Sequence, residues 1–312
     1  MPSPILPRRN QPDTWYPAGV TGVTSRWLTL PEGERARIVE LEPSTTLATA
    51  DTLLLHGWGC NAYHFRKLLP ALARRGVAAI ALDLRGHGMS HKPTDLAAYT
   101  ASALRVFVER VLDALQIERV SLVGHSLGAA VALDVVFAAP ERVRWLTLLN
   151  PVGLARLTYA SLFRRAPVGY AEHVPAVVSR AVAFAALHLA YGKLVRPDPG
   201  DLEQYLYPAL APGGRFGMLA YAKAFSWEPR PSEAIARIAC PTHVMFGERD
   251  RVIRSREAID NLRALPSARV DVVPGAGHVL AEEATEAVAE AVAQIGLATK
   301  TSTKVPSRSV LR

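Results

Sequence analysis

The sequence feature that most constrains the fold is the alternation of short apolar strands with helices between residues 52 and 149. The strand segments are apolar at nearly every position, which is typical of strands buried on both faces of a sheet. Strands of this kind that are joined by helices form a parallel sheet covered by helices. The predicted strands are Thr52–Leu55, Val77–Leu82, Val120–Val123 and Val143–Leu149, and the predicted helices are Tyr63–Arg74, Ala101–Leu115 and Leu127–Ala139.

The pattern continues on either side of this region. Two β-rich runs, Val23–Leu30 and Arg35–Leu41, are separated by a Pro-Glu-Gly turn and predict an antiparallel hairpin. Further along, the sequence predicts strands at Thr242–Phe246 and Arg269–Val273, with a helix near Arg254–Ala264 between them. The predicted fold class is therefore α/β, with a mostly parallel central sheet flanked by helices.

The last predicted helix is amphipathic. Its apolar face consists of Ala284, Ala287, Val288, Ala291, Val292 and Ile295. Its glutamates are expected to lie largely off that face, at Glu282, Glu283, Glu286 and Glu290.

The alternation breaks between Pro151 and Pro231, where helical segments, aromatic residues and prolines occur without a clear strand. This break predicts a helical insertion over the sheet and not a second independent domain. The predicted organisation is an N-terminal extension at 1–20, an α/β core at 21–150 and 232–298, a helical insertion at 151–231 and a basic disordered tail at 299–312.

The net charge of +8 is concentrated at one end, because the tail carries four of these charges on Lys300, Lys304, Arg308 and Arg312. A charged end rich in Thr and Ser is typical of a solvated segment. We therefore expect no nucleic-acid partner, and the insertion and the tail are the candidate segments for weak association with a membrane surface. The sequence does not indicate an oligomeric state.

The cysteine content and the lack of known binding motifs argue against a bound metal or cofactor. The two cysteines, Cys60 and Cys240, cannot form a disulfide framework and do not form a C-x-x-C pair. No histidine–carboxylate cluster has metal-ligand spacing, and neither a G-x-x-x-x-G-K-[ST] nor a G-x-G-x-x-G motif occurs. We expect no metal and no cofactor. Because the first ten residues also lack the apolar region of a secretory signal, the expected location is the cytoplasm.

The strand Val120–Val123 runs directly into the residues Gly-His-Ser-Leu-Gly at 124–128, and a helix follows. This is a G-x-S-x-G motif in the strand–turn–helix context that it requires. The sharp turn exposes Ser126 at the carboxyl edge of the sheet and at a helix N-terminus, where negative charge is favoured. The pattern predicts a serine nucleophile.

Together with this motif, three further segments resemble the α/β-hydrolase superfamily. They follow successive predicted strands in the expected order and span about residues 52–280. The four segments are His-Gly-Trp-Gly at 56–59, Asp-Leu-Arg-Gly-His-Gly-Met-Ser at 83–90, the turn at 124–128 and Gly-Ala-Gly-His at 275–278. The resemblance implies an α/β-hydrolase fold in which the insertion at 151–231 forms a helical cap.

The resemblance also implies a catalytic triad in the order Ser126, Asp250 and His278. His278 follows the last predicted strand, and Asp250 follows the penultimate one, with Glu248 as a local alternative. Some relatives carry the acid one strand earlier, but the residue there is Asn150, which cannot ionise.

Two backbone N–H groups are expected to form the oxyanion hole. One belongs to Leu127, which follows the nucleophile, and the resemblance assigns the other to Trp58. Candidate pocket residues are His125, Phe225 and Trp227, and the aromatic content of the insertion favours a lipophilic or aromatic substrate.

These residues predict a cofactor-independent serine hydrolase that cleaves a small-molecule carboxylic ester through an acyl-enzyme on Ser126. Relatives with an aspartate nucleophile, the haloalkane dehalogenases and epoxide hydrolases, are disfavoured by the serine at this position. Thioesters, lactones, amides and perhydrolysis stay open as variants of this reaction, and two other functions stay open as well. One is hydrolysis of a C–C bond in a vinylogous diketone with the same triad, and the other is a noncatalytic ligand receptor on this fold.

Overall fold

An eight-stranded sheet forms the centre of the computed structural model, which describes residue 16 and residues 20–41, 51–157, 168–173, 176–253 and 255–302. The strands are β1 (Val23–Thr29), β2 (Arg35–Leu41), β3 (Thr52–Leu55), β4 (Ala79–Leu82), β5 (Val120–His125), β6 (Val143–Leu149), β7 (Thr242–Gly247) and β8 (Arg269–Val273). Their order across the sheet is β1-β2-β4-β3-β5-β6-β7-β8. The pairs β1–β2 and β2–β4 are antiparallel, and all other neighbours are parallel. This topology confirms the predicted α/β fold and the N-terminal hairpin.

The helices cover both faces of the sheet. They are α1 (Leu68–Ala73), α2 (Ala101–Ala114), α3 (Leu127–Ala138), α4 (Ala176–Ala190), α5 (Pro199–Leu210), α6 (Gly214–Ala224), α7 (Ser232–Ile235), α8 (Ser255–Asn261), α9 (Leu280–Glu283) and α10 (Thr285–Ser302). Alternate residues of each strand join different cores, as the strand period of two requires. Leu53 and Leu55 pack with α2 and α3, whereas Leu54 packs with α1 and α10.

Two segments near the chain ends differ from the sequence prediction. Glu282 and Glu283 are buried, so the expectation that they lie off the packed face of the last helix is wrong for them. The reason is a break at Ala284, whose φ of −130° and ψ of 42° separate α9 from α10 and turn the two glutamates inward. The helix α10 continues to Ser302, four residues into the predicted tail. The rest of that tail, and almost all of the predicted extension at 1–20, lie outside the described residues.

The main elements of the insertion between β6 and β7 are the helices α4, α5 and α6, and its other described residues include turns and isolated β-bridges. A half-buried ion pair joins it to the core, because Arg230 Nη2 lies 2.7 Å from Asp134 Oδ2 on α3. Residues 158–167 and 174–175 of the insertion lie outside the described ranges. Among the described helices, none is both long enough and apolar enough to cross a membrane.

Candidate active site

The turn that carries Ser126 has the strained geometry of a sharp strand-to-helix connection. Ser126 has a φ of 52° and a ψ of −113°, a backbone conformation that L-residues rarely adopt. The flanking glycines allow the close approach that this turn needs. A Cβ on Gly128 would lie 2.1 Å from the carbonyl oxygen of Leu55, and a Cβ on Gly124 would lie 2.5 Å from the Cα of Ala129. The turn thus places Ser126 immediately before the first residue of α3.

His278 and Asp250 lie together beyond the ends of β8 and β7. The Nδ1 of His278 is 2.8 Å from Oδ2 of Asp250, and the side chain of Asp250 is fully buried. The other carboxylate oxygen, Oδ1, accepts hydrogen bonds from the backbone N–H groups of Val252 and Ile253 at 2.7 and 3.1 Å. Both oxygens are therefore fixed. Since Nδ1–H donates to Asp250, the lone pair of the neutral His278 ring lies on Nε2.

Glu248, the local alternative to Asp250, lies elsewhere. Its Oε2 accepts a hydrogen bond from the backbone N–H of Gly275 at 2.9 Å, and its side chain is 54% exposed. Its only charged neighbour within the described residues is Arg249, at 3.9 Å. The geometry therefore favours Asp250 over Glu248 as the acid beside His278.

Asn150, at the end of β6, joins the two loops that carry Asp250 and His278. Its Nδ2 donates to the carbonyl oxygens of His278 at 2.7 Å and Gly277 at 3.1 Å, and its Oδ1 accepts from the N–H of Gly247 at 2.8 Å. The residue is fully buried and has a φ of 43°, in the left-handed region that asparagine tolerates better than most residues. The amide therefore acts as a clip between the two loops.

The insertion also holds the His278 loop. The N–H of His278 donates to the carbonyl oxygen of Ala190 at 2.6 Å, at the end of α4. The carboxylate of Glu283 accepts from the N–H groups of Gly192 and Gly277 at 2.8 and 2.9 Å, so it ties the insertion to this loop. Burial raises the pKa of Glu283, although these backbone N–H donors oppose the shift.

The loop after β3 contains the expected oxyanion residue Trp58. His56 anchors the loop, with Nδ1 2.8 Å from the carbonyl oxygen of Gly57 and Nε2 accepting from the N–H of Leu84 at 3.0 Å. The indole Nε1 of Trp58 donates to the carbonyl oxygen of Met218 on α6 at 3.1 Å. Leu127 is the first residue of α3, where an α-helix offers no intrahelical acceptor to the N–H group.

Asp83 orders the neighbouring loop. Its carboxylate accepts from the N–H groups of Ala62 at 2.7 Å and Met89 at 2.8 Å, and it lies 3.1 Å from Nη1 of Arg37. Burial alone would raise the pKa of Asp83, but the Arg37 guanidinium and these donors hold it below its usual value. The role of Asp83 is to fix the loop that packs against the Trp58 segment.

The expected pocket residues of the insertion are packed. Trp227 lies 5.3 Å from Trp58 and 5.0 Å from Phe225 between ring centroids, and its Nε1 donates to the carbonyl oxygen of Tyr221. Six aromatic residues of the insertion are buried, namely Tyr191, Tyr205, Tyr207, Tyr221, Phe225 and Trp227. Their burial stabilises the insertion on the core, so aromatic content alone does not indicate a lipophilic substrate.

His125 is buried next to Ser126 and packs against His278. The Nε2 of His125 is 2.8 Å from the carbonyl oxygen of His278, and the two ring centroids are 4.8 Å apart. Burial, together with neighbouring His64 and His278, holds the pKa of His125 well below its usual value. The ring is therefore neutral at neutral pH and supports the His278 loop.

A buried polar network extends from this point to Glu282. Its carboxylate lies 3.1 Å from Nδ1 of His64 and 2.6 Å from Nη1 of Arg66, and it accepts from the hydroxyls of Tyr191 and Tyr205. Burial alone would raise the pKa of Glu282, but the hydrogen bond from His64 and the positive charge of Arg66 lower it to about 2. This carboxylate is ionised at neutral pH and links the insertion to the core.

Comparison with known proteins gives the family of this chain. Residues 52–291 match the sequence model of the alpha/beta hydrolase family. The chain belongs to the alpha/beta hydrolase family. This hydrolase is also 30% identical over 241 residues to an uncharacterized protein of Mycobacterium tuberculosis, a match that covers 72% of this chain and 69% of the relative.

Solved structures share the fold at lower sequence identity. An enol-lactonase from Burkholderia xenovorans superposes with a TM-score of 0.73 at 18% identity, covering 87% of this hydrolase and all of that chain. A carboxylesterase from Bacillus subtilis superposes with a TM-score of 0.70 at 18% identity, covering 88% and 92% of the two chains. These likenesses show the α/β-hydrolase fold, and family membership supports a hydrolase.

The structure thus places Ser126 at a strained turn, Asp250 against His278, and Trp58 and Leu127 on the two loops expected to donate to an oxyanion. Asn150 was not predicted as a positioning residue, and the sequence indicated only that it cannot ionise at a position where some relatives carry the acid. His64, which no motif surrounds, was not predicted either. The signal for Asn150 was its place at the end of a predicted buried strand, where polar residues often serve the site.

Proposed function

We propose that this protein is a cofactor-independent serine hydrolase that cleaves a carboxylic ester through an acyl-enzyme on Ser126. The observation that carries the proposal is the pairing of His278 Nδ1 with the buried, fully hydrogen-bonded carboxylate of Asp250 at 2.8 Å. A carboxylate in this position selects the tautomer in which Nε2 accepts a proton, and it stabilises the imidazolium that results.

The proposed reaction proceeds in two stages. His278 Nε2 takes the proton of Ser126 as the hydroxyl oxygen attacks the ester carbonyl, and the backbone N–H groups of Trp58 and Leu127 stabilise the oxyanion. His278 then donates the proton to the leaving alcohol, and the acyl group stays on Ser126. Water, activated by the same imidazole, hydrolyses the acyl-enzyme and regenerates the serine.

Several features of the site support this sequence of steps. The N-terminus of α3 lies directly after Ser126, where its dipole favours developing negative charge. Asn150 and Glu283 hold the loops that carry the acid and the base, so the reacting groups are preorganised. The small-molecule ester, a lipophilic or aromatic acyl or alcohol group and a cytoplasmic location belong to the same proposal, and the two free cysteines fit a reducing compartment.

The test compares wild type with matched variants on p-nitrophenyl esters of increasing chain length. Ser126→Ala should abolish turnover and labelling by a fluorophosphonate probe. Asp250→Asn should lower kcat by about four orders of magnitude, because the amide favours the wrong tautomer of the base. Glu248→Gln is the matched control, since this neighbouring carboxylate bonds to Gly275 and not to His278.

The outcomes separate the proposal from its rivals. Wild type that neither turns over esters nor labels would refute a serine esterase. Equal losses in Asp250→Asn and Glu248→Gln would contradict the assignment of the acid. Turnover of a vinylogous diketone without turnover of any ester would assign the same triad to C–C bond hydrolysis. A single slow turnover with tight product retention would indicate a receptor.

A further inference from the structure

Three side chains with metal-ligand atoms meet next to the turn that carries Ser126. Cys60 follows the β3 loop, His64 lies in the 3-10 turn Ala62–Phe65, and His125 is the last residue of β5. One ligand atom from each of these three residues, the Cys60–His64–His125 cluster, lies within 4.8 Å of the other two. The two histidine side chains are almost completely buried. The proposed ester chemistry uses none of the three ligand atoms.

The hydrogen bonds of the two histidines leave a lone pair on each inner nitrogen. His64 Nδ1 lies 3.1 Å from a carboxylate oxygen of Glu282, so it carries the proton, and the lone pair is on Nε2. His125 Nε2 lies 2.8 Å from the carbonyl oxygen of His278, so it carries the proton, and the lone pair is on Nδ1. Both inner nitrogens are buried, and neither has a hydrogen-bond partner within the described part of the chain.

Two buried lone pairs are costly when no protein group donates a hydrogen bond to them, and within the described part of the chain none does. A sulfur and two imidazole nitrogens are the donors that zinc-class ions prefer, whereas Mg²⁺ and Ca²⁺ prefer oxygen ligands. The outer nitrogens also have the partners typical of metal-bound histidines, a carboxylate for His64 and a backbone carbonyl for His125.

The charges around the cluster favour a cation. Arg66 pairs with both Glu282 and Asp201, so two carboxylates share one guanidinium and leave one negative charge over. A divalent ion bound to the thiolate of Cys60 adds one net positive charge and balances the group. Cys60 also borders a small surface cleft with His87, Tyr205 and Met218, so the cluster lies close to the protein surface on this side.

We propose that Cys60, His64 and His125 bind one zinc-class divalent ion and leave its fourth coordination position open. The rings of His64 and His125 are stacked, with centroids 4.3 Å apart and planes 22° apart, so binding requires each ring to turn. Because the same rotation moves the outer nitrogens, the contacts of His64 with Glu282 and of His125 with the carbonyl oxygen of His278 must adjust with it. The prediction of no metal site rested on spacing along the chain, and these ligands come together only in the folded protein.

Cobalt(II) is the probe, because a thiolate ligand gives it a charge-transfer band in the near ultraviolet and a tetrahedral site gives it strong visible bands. The full chain, without a purification tag, is stripped with a chelator and titrated with Co²⁺. A second preparation comes from cells grown with cobalt, so that slow entry into the buried site does not hide binding. We expect one equivalent per chain, and we expect Zn²⁺ to bleach the bands.

Three variants decide the assignment. Cys60→Ser should remove the charge-transfer band, and His64→Gln should weaken cobalt binding by about tenfold or more. Cys240→Ser is the matched control, because it removes the other free cysteine and leaves the cluster intact. Circular dichroism checks that each variant is folded. If Cys60→Ser does not fold, the cobalt affinity of His64→Gln tests the metal site.

The proposal is overturned if folded wild type from both preparations lacks the charge-transfer band. It is also overturned if the band persists in Cys60→Ser, or if cobalt binds His64→Gln as tightly as wild type. None of these measurements depends on ester turnover, so failure of the metal site and failure of the proposed hydrolase activity are distinguishable.

Discussion

The Asn150 clip between the Asp250 and His278 loops is the feature whose loss has the most specific expected outcome. In Asn150→Ala, two donors to the carbonyl oxygens of Gly277 and His278 are lost, together with the acceptor for the N–H of Gly247. All of these groups lie in the buried centre of the site. We expect the variant to lose both stability and catalytic positioning.

The magnitude follows from the contacts. Three buried hydrogen bonds contribute about 0.5–1.5 kcal/mol each, so their loss costs about 1.5–4.5 kcal/mol. Alanine at a φ of 43° adds about 1 kcal/mol of backbone strain. Asn150→Gly avoids that strain and should be more stable than Asn150→Ala by about 1 kcal/mol. Since displacement of a catalytic group by about 1 Å can cost a hundredfold in rate, kcat should fall by about that factor in both variants.

Urea unfolding measures the stability, and p-nitrophenyl ester turnover measures kcat and KM. Leu148→Ala is the matched control. It lies two residues earlier on β6, its side chain is buried in the core, and its loss costs about 2–5 kcal/mol without removing any hydrogen bond of the clip. The clip has no positioning role if Asn150→Ala keeps the kcat of wild type, or if Leu148→Ala loses as much kcat at a temperature where both are folded.

Two further predictions concern stability. Burial lowers the pKa of His56 to about 4, below the ordinary value of about 6.5 in the unfolded chain. The unfolded state therefore binds the proton first, and the contribution of His56 is complete above pH 6.5 and is lost as the pH falls toward 4. Urea unfolding should show a loss of about 2 kcal/mol between pH 7.5 and pH 5, and a pH-independent midpoint would contradict this. Gly128→Ala should lower the Tm severely, because the added Cβ would lie 2.1 Å from the carbonyl oxygen of Leu55. The control Gly169→Ala should keep the Tm of wild type, because its Cβ would meet nothing within 4 Å. Equal Tm values for the two variants would refute this steric explanation.

The local sequence pattern was sufficient to predict most strands and helices of the α/β core. β2 and β6 have the predicted bounds, because a mostly apolar run flanked by turn residues has few other ways to bury its side chains. β8 also has the predicted bounds, although its side chains are largely exposed. The segment predicted as one helix at 63–74 is instead a 3-10 turn at Ala62–Phe65 followed by α1, since the side chain of Asn61 bonds to the N–H of Tyr63 and tightens the turn. Helical periodicity does not distinguish these two structures.

The candidate triad shows how far the sequence alone can assign the site residues. Order and motif predict Ser126, Asp250 and His278 as the triad, with Glu248 as an alternative acid, because the carboxyl ends of parallel strands meet at one edge of the sheet. The coordinates then distinguish Asp250 from Glu248. The two carboxylates are two residues apart in one loop. The folded chain places the imidazole of His278 beside Asp250 and the N–H of Gly275 beside Glu248.

Contacts between distant segments were decided only by the tertiary structure. The break at Ala284 buries Glu282 against His64, more than two hundred residues away, and a pattern of exposed glutamates on one helix face cannot indicate such a partner. The same holds for Asn150 and for the Cys60–His64–His125 cluster. The sequence alone determined the sheet, the nucleophile turn and the family, because these depend on local periodicity and steric limits. Only the fold decided which buried polar groups meet, because hydrogen bonds and charges are satisfied in space and not along the chain.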